Sequence, residues 1–295
     1  MRLFKTKPIA FAAALLATAA ASPALAQDVV GAAPGQEEAK DDPAFKLSGT
    51  VALVSDYRFR GVSQSDNSWA IQGGLTLGHE SGLYAGFWGS NLAGWGTFGG
   101  PNLELDLFFG WKFPVGPTTF DVGVTTYTYP GGAPITTFAE LYWKVGATLG
   151  PVSLLGGIAW APSQQALGNW YNTGLAYQDS TPDDFGASGD NLYLWGDIAG
   201  GIPGIPVTLK GHFGYSDGNP GLGPNGTSVA PTGSYWDFLI GADVALGPVV
   251  LGFAWVDTTI SDTSPEWFAL QPNFSDVNGN PISNSKFVFS VGAAF

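Results

Sequence analysis

Leu103-Glu104-Leu105-Asp106-Leu107-Phe108-Phe109-Gly110-Trp111-Lys112-Phe113 decides the fold. Its odd positions are all apolar, and its even positions carry Glu, Asp, Gly and Lys with one Phe. Successive side chains of a strand point to opposite faces, so this segment builds a wall with one oily and one mostly polar side. A helix of the same sequence would scatter the charges around its circumference. The alternation returns in Ala139-Glu140-Leu141-Tyr142-Trp143-Lys144-Val145 and in Trp236-Asp237-Phe238-Leu239-Ile240-Gly241-Ala242-Asp243-Val244.

Working outward, about twelve such segments appear, each near the length that crosses a tilted barrel wall. They are expected near 47–60, 69–79, 82–90, 102–113, 118–129, 136–149, 151–160, 190–202, 205–217, 235–246, 248–261 and 285–295. Connections after every second strand are tight and built from turn residues: His79-Glu80-Ser81-Gly82, Pro114-Val115-Gly116-Pro117, Gly150-Pro151, Pro203-Gly204 and Gly247-Pro248. The others are mostly longer, above all 161–189, 218–234 and 262–284. Short periplasmic turns, long external loops and an even strand number are the pattern of a transmembrane antiparallel β-barrel, an all-β fold.

Composition agrees. Only 12% of residues are charged and 14% are aromatic, whereas a soluble domain carries about 25% charged residues. Something other than water is expected to face much of this surface. Apolar runs are too broken for a spanning helix, and only helices and closed barrels satisfy their backbone in hydrocarbon.

The chain opens with Arg2, Lys5 and Lys7, an apolar run over 9–21, and Ala24-Leu25-Ala26. We read 1–26 as a secretory signal peptide cleaved before Gln27, 27–45 as a flexible acidic periplasmic leader, and 46–295 as the outer-membrane barrel. There is no Cys, which excludes a lipoprotein anchor, disulfides and thiolate chemistry. The net charge of −13 disfavours nucleic acid as a partner, and loss of the three signal-peptide cations makes the remainder more acidic still. Phe287, Phe289, Val291, Ala293 and Phe295 share one face of the last strand. A terminal aromatic of this kind resembles the signal read by the barrel insertion machinery. Tyr57, Phe59, Trp160, Phe213, Tyr215, Trp236, Trp255 and Phe287 are expected to girdle the external rim, with Trp111 and Phe113 at the periplasmic rim. Trp88, Tyr193 and Trp195 are expected inside.

Ser55-Asp56-Tyr57-Arg58-Phe59-Arg60-Gly61 and Glu80-Ser81-Gly82-Leu83-Tyr84-Ala85-Gly86-Phe87-Trp88-Gly89-Ser90-Asn91 resemble segments of the TorF-type porin family of proteobacteria. Glu104-Leu105-Asp106-Leu107 is similar to a further segment of it. The resemblance implies an outer-membrane barrel named a porin by likeness. It implies no substrate and no catalytic residue.

Assigning the polar face of each strand to the interior collects Asp56, Arg58, Arg60, Glu104, Asp106, Lys112, Asp121, Glu140, Lys144, Asp197, Lys210, His212, Asp237 and Asp243 as pore-lining residues. Two readings compete. These groups line a narrow aqueous channel for small hydrophilic solutes, or they pair into a network that fills a structural or adhesive barrel. Arg58 and Arg60, two apart, are expected on one interior face near the outer mouth, as an anion-attracting rung or paired with carboxylates. The expected external loops hold no Lys or Arg but carry Asp66, Asp179, Asp183, Asp184, Glu266 and Asp276, with Asp262 at an edge. That suggests a mildly cation-preferring mouth, or carboxylates that bridge lipopolysaccharide through divalent ions.

Asp276-Val277-Asn278-Gly279-Asn280 is only partly like a calcium loop, since Pro281 replaces the expected Gly, and reads as a turn. No metal and no cofactor is expected. An outer-membrane lipid-modifying enzyme is the rival from another class. Of the two histidines, His79 falls in a turn and His212 faces inward by parity with Lys210, away from lipid. Trp170 and Tyr171 are expected either exposed for a partner or folded over the mouth.

Overall fold

A computed structural model describes residues 44–94, 100–226, 228–271 and 273–295. The expected signal peptide and almost all of the expected leader lie outside these residues. Among the described residues there are fourteen strands: β1 (Phe45–Val54), β2 (Arg58–Phe59), β3 (Val62–Ser63), β4 (Ala70–His79), β5 (Leu83–Asn91), β6 (Leu103–Val115), β7 (Thr118–Thr128), β8 (Phe138–Leu149), β9 (Val152–Gln164), β10 (Gly189–Gly201), β11 (Val207–Asp217), β12 (Ser234–Leu246), β13 (Val249–Thr258) and β14 (Lys286–Ala294). Two short α-helices, α1 (Gly174–Gln178) and α2 (Pro265–Ala269), and one 3-10 turn (Gln165–Leu167) sit in the long loops among these residues.

Twelve strands, β1 and β4 to β14, form one closed antiparallel barrel. Neighbours in sequence are neighbours in the wall, and β1 closes the ring by pairing with both β4 and β14. Phe295 extends the seam through reciprocal backbone bonds with Gly49 of 2.8 and 3.0 Å. Closure leaves no free edge, so the wall satisfies its own backbone. Short turns and both described strand termini fall at one end of the cylinder, and all long loops fall at the other.

The deciding segment behaves as its alternation requires. In β6 Leu107, Phe109 and Trp111 are exposed on the outer face, while Glu104 and Asp106 are buried on the inner. The outer face carries large exposed apolar residues all round the ring, among them Leu47, Ile71, Phe87, Trp143, Ile158, Ile198, Phe213, Ile240, Phe253 and Phe289.

One expected strand is wrong in a way that matters. β1 stops at Val54 rather than running to Arg60. Ser55 ends the pairing by exchanging hydrogen bonds with Phe289, backbone to carbonyl at 2.8 Å and side chain to N–H at 2.9 Å. The chain then turns inward and makes the β2–β3 hairpin, whose tip is Arg60-Gly61 with φ of 49° and 80°. Two consecutive positive φ values at a two-residue tip match the tight turn whose twist suits a hairpin, and glycine at the second position makes it accessible. Tyr57 and Phe59, expected in the outer girdle, are therefore buried inside.

Around this hairpin the long-loop end is packed. Tyr57 and Phe59 cluster with wall residues Val54, Trp88, Tyr127 and Phe138, and with Leu167 and Val229 from other loops. A second cluster joins Val62, Trp170, Tyr171, Leu222, Trp267 and Phe274. Trp170 and Tyr171 are thus parts of a lid and are not exposed.

Candidate functional site: the barrel interior

The eleven strand-borne charged residues collected from the sequence all fall on the inner face of the wall, as the burial alternation of β6, β7, β8, β10, β11 and β12 requires. Asp56, Arg58 and Arg60 also lie inside, but on the folded-in hairpin segment and not on the wall. The expectation that the external connections lack cations is overturned with it. The first connection, 55–69, holds both arginines, buried where they add nothing to the charge of the mouth.

Asp56 organises the hairpin. Its carboxylate accepts from Arg58 Nε at 2.7 Å and from the hydroxyls of Ser63 and Ser65. Arg58 donates further to the carbonyls of Gly61 and Asn284, each at 2.8 Å, which ties the hairpin to the last long loop. Arg60 crosses the lumen to the opposite wall. One guanidinium nitrogen meets Glu140 at 2.6 Å and another meets Asn191. The guanidinium also lies between two rings, with its carbon 4.7 Å from the Phe59 centroid and 4.3 Å from that of Tyr193. Aromatic faces of this kind attract a desolvated cation.

Further networks continue around the wall. Tyr127 donates to Glu140 at 3.0 Å. A hydrogen bond joins Tyr193 to His212 Nε2 at 2.9 Å, and His212 lies between Asp197 at 2.6 Å and Asp237 at 3.1 Å. Lys210 pairs with Asp243 at 2.7 Å, and Lys112 more loosely with Asp121 at 3.6 Å. Tyr84 donates to Asp121 and shares a hydrogen bond with Tyr142. The Lys144 ammonium stands 4.6 Å over the Tyr142 ring. Glu104 and Asp106 are the exception. Both are buried, and both Asp106 oxygens and Glu104 Oε2 lack hydrogen-bond partners.

Sequence reasoning missed the phenols of Tyr84, Tyr127 and Tyr142 and the amide of Asn191. A signal was present in the inward glycines. Tyr84 faces Gly110 in register and Tyr142 faces Gly123. A Cβ at either glycine would fall about 2.5 Å or less from those phenol atoms. Trp195 likewise leans over Gly157, its register partner. Glycine on the charged face marks where a neighbouring ring must lie flat against the wall.

The loop carboxylates also have structural partners. Asp66 accepts from the Val277 N–H, Asp183 from the Asn172 N–H, and Asp262 from the Asn284 amide. Asp276 accepts from the N–H groups of Asn278 and Asn280, so that segment is the turn its sequence suggested. Among the described residues no group of three or more His, Asp or Glu is arranged to hold a metal ion. His212 is inside the barrel, where it cannot meet a lipid on the outer wall.

A family model described as "Bacterial protein of unknown function (Gcw_chp)" matches residues 38–295. No curated protein matches the sequence. Among solved structures the barrel is similar to KdgM porin, at 6% identity over 84% of this chain and 99% of that one, with a TM-score of 0.49. It is also similar to the outer membrane channel from Pseudomonas putida F1, at 15% identity over 89% and 99% of the two chains, with a TM-score of 0.44. Likeness at this level concerns barrel architecture alone.

Proposed function

The chain belongs to the Gcw_chp family of bacterial proteins of unknown function, and on that premise we propose that it is a porin-like barrel of the outer membrane that lets small hydrophilic solutes diffuse through a narrow lumen. The observation that carries this reading is the two-faced wall. A closed cylinder with large apolar side chains exposed outside and ionic side chains inside is soluble in neither water nor lipid alone. Its strands of 9 to 13 residues suit a hydrocarbon layer that takes roughly 9–11 tilted residues to cross. The TorF-type resemblance and the expected export signal favour the same address. On this reading the short turns face the periplasm. Asp56, Arg58, Arg60 and the eleven inward residues of the wall line the path. Lipid and lipopolysaccharide surround the apolar belt, and the insertion machinery reads the last strand.

A second reading is favoured by one observation. The long-loop end is packed by two buried clusters, as a plugged structural or adhesive barrel would be. Planar-bilayer conductance separates the two. The pore reading expects discrete conductance steps from the wild type, and larger steps after 58–63 are replaced by a short Gly-Ser link. A silent wild type beside a conducting variant assigns the barrel to the plugged class. Silence from both removes transport altogether. Reversal potentials in a salt gradient test the acidic mouth, for which mild cation preference is expected.

A further inference from the structure

The exposed apolar residues of the wall have lipid to face on the membrane reading, but a further group lies beyond the strand ends, on the lid. Leu175 and Tyr177 belong to α1, Phe185 to the chain that follows it, and Phe268 to α2. Phe185, Leu175 and Phe268 are 76%, 70% and 63% exposed, more than Phe109 on the outer wall. Each exposed ring leans on a buried ring of the second loop cluster. Phe185 meets Trp170 at 4.6 Å between centroids, Tyr177 meets Tyr171 at 5.3 Å, and Phe268 meets Trp267 at 5.0 Å. The two helices abut, since a Cβ at Gly174 would fall 2.3 Å from the Gln271 carbonyl oxygen and 3.8 Å from that of Ala269. Leu175 and Phe268, the chain neighbours of Gly174 and Ala269, therefore emerge at one seam. Exposed apolar residues scattered singly need no explanation, whereas a grouped apolar surface on a water-facing lid marks a place of contact.

Carboxylates are interleaved with these rings. Asp179 caps the C-terminus of α1 two residues after Tyr177, Asp184 directly precedes Phe185, and Glu266 stands two residues before Phe268. All three are exposed. The two connections that carry them, 165–188 and 259–285, contain no Lys or Arg. Lys286 is exposed where β14 begins, in the field of Asp276. An occupant of this face must bury apolar surface and bring positive charge. A neutral glycan would cover the rings but leave the carboxylates unanswered, and an anionic headgroup would be repelled. We propose that the α1–α2 face of the lid is a docking surface for a cationic, apolar-faced peptide segment of a partner protein. The rings supply the contact area, and the carboxylates supply steering and choice of partner. This goes beyond the pore reading and does not depend on conduction, because the lid presents the same face whether or not solutes pass.

The test uses the full chain folded into nanodiscs of zwitterionic lipid, titrated into a fluorescein-labelled amphipathic helical peptide of Lys and Leu, with binding read by anisotropy. Zwitterionic lipid keeps adsorption of the basic peptide to the bilayer low. A peptide of Glu and Leu reverses the charge, and one of Lys and Ser removes the apolar face. The Lys–Leu peptide is expected to bind discs that hold the barrel more tightly than empty discs, and both comparison peptides about tenfold more weakly. Phe185→Ser combined with Phe268→Ser is expected to weaken the Lys–Leu peptide about tenfold. Asp184→Asn combined with Glu266→Gln is expected to weaken it as well and to flatten its dependence on salt. Equal binding to filled and empty discs overturns the proposal and assigns the adsorption to lipid. So does binding undiminished in the Phe185→Ser, Phe268→Ser variant. Should that variant fail to fold, the Asp184→Asn, Glu266→Gln variant decides, and unchanged affinity there overturns the proposal.

Discussion

The two ends of the barrel interior solve the same electrostatic problem differently. Near the short turns, Lys112 and Asp121 face each other at 3.6 Å, and the lysine side chain is 28% exposed. Near the long loops, Arg58 and Asp56 meet at 2.7 Å with side chains 1% and 0% exposed. The partners are of the same chemical kind; access to water is not the same. At the open end water shares the solvation of each charge, so loose pairing suffices. At the sealed end the loops have removed that water, and each arginine must find its whole solvation shell in protein. A single strand spans the contrast: on one face of β6, Lys112 lies in the wetter half and Asp106 is fully buried.

The largest effect that would sharpen or erase this contrast is expected at Arg60. Arg60→Ala leaves Glu140 buried and short of its cation, which should cost about 3–5 kcal/mol. Lys112→Ala, at the open end, should cost about 0–1 kcal/mol. Urea unfolding of the detergent-folded barrel, followed by tryptophan fluorescence, measures both. Equal losses would mean that the sealed end is as wet as the other.

Both ends are held by one outer wall, and the next prediction concerns its solvent. Phe109 is 54% exposed near the middle of β6. Phe109→Arg should cost about 2–4 kcal/mol when the barrel folds into lipid vesicles. No loss in vesicles would show that this face does not meet hydrocarbon, and the membrane reading would go with it. A smaller effect separates the inward glycines. A Cβ at Gly214 would come within 2.1 Å of the Tyr193 hydroxyl and 2.5 Å of Asp237 Oδ2, whereas one at Gly146 would meet only the Leu154 carbonyl at 3.5 Å. Gly214→Ala should therefore cost about 1–3 kcal/mol by overpacking, and Gly146→Ala close to nothing. Thermal unfolding of the two variants gives the comparison directly.

The contrast between ends also marks how far sequence could be read. A wall strand advertises itself because its period of two is enforced along its whole length by lipid on one side, and β6 was legible for that reason. The segment after Val54 alternates as well, with Tyr57 and Phe59 interleaved among Asp56, Arg58 and Arg60. Alternation alone cannot tell a strand that continues up the wall from a hairpin that leaves it. The distinguishing feature was Arg60-Gly61, a turn pair flanked by short extended pieces, and its meaning depends on the positive φ that the structure supplies. Inward orientation of the charges followed from parity. Their partners did not, because Arg60 reaches Glu140 across 80 residues of sequence and the register of five intervening strands. The burial of Trp170 was equally illegible, since loop packing has no period.

The smallest expected effect lies on the rim of the sealed end, at Asp276, outside the wall. Burial pushes its acid upward in pKa, but hydrogen bonds from the Asn280 side chain and from the Asn280 and Asn278 N–H groups outweigh it, aided by the Lys286 charge, and hold the carboxyl below its ordinary value. A lowered value in the folded state means that the carboxylate form stabilises the turn. That contribution is complete above the ordinary carboxylate range and is lost as pH falls through the lowered value. At pH 7 Asp276→Ala should thus speed protease nicking within 274–282 while leaving the global unfolding midpoint in place, because the barrel wall does not rest on this turn. Acidifying the wild type toward the lowered value, with an acid-active protease, should reproduce the same nicking. If instead Asp276→Ala moved the global midpoint as far as Arg60→Ala, rim and plug would be one cooperative unit. The division between a tightly solvated plug and an independently fraying rim would then have to be given up.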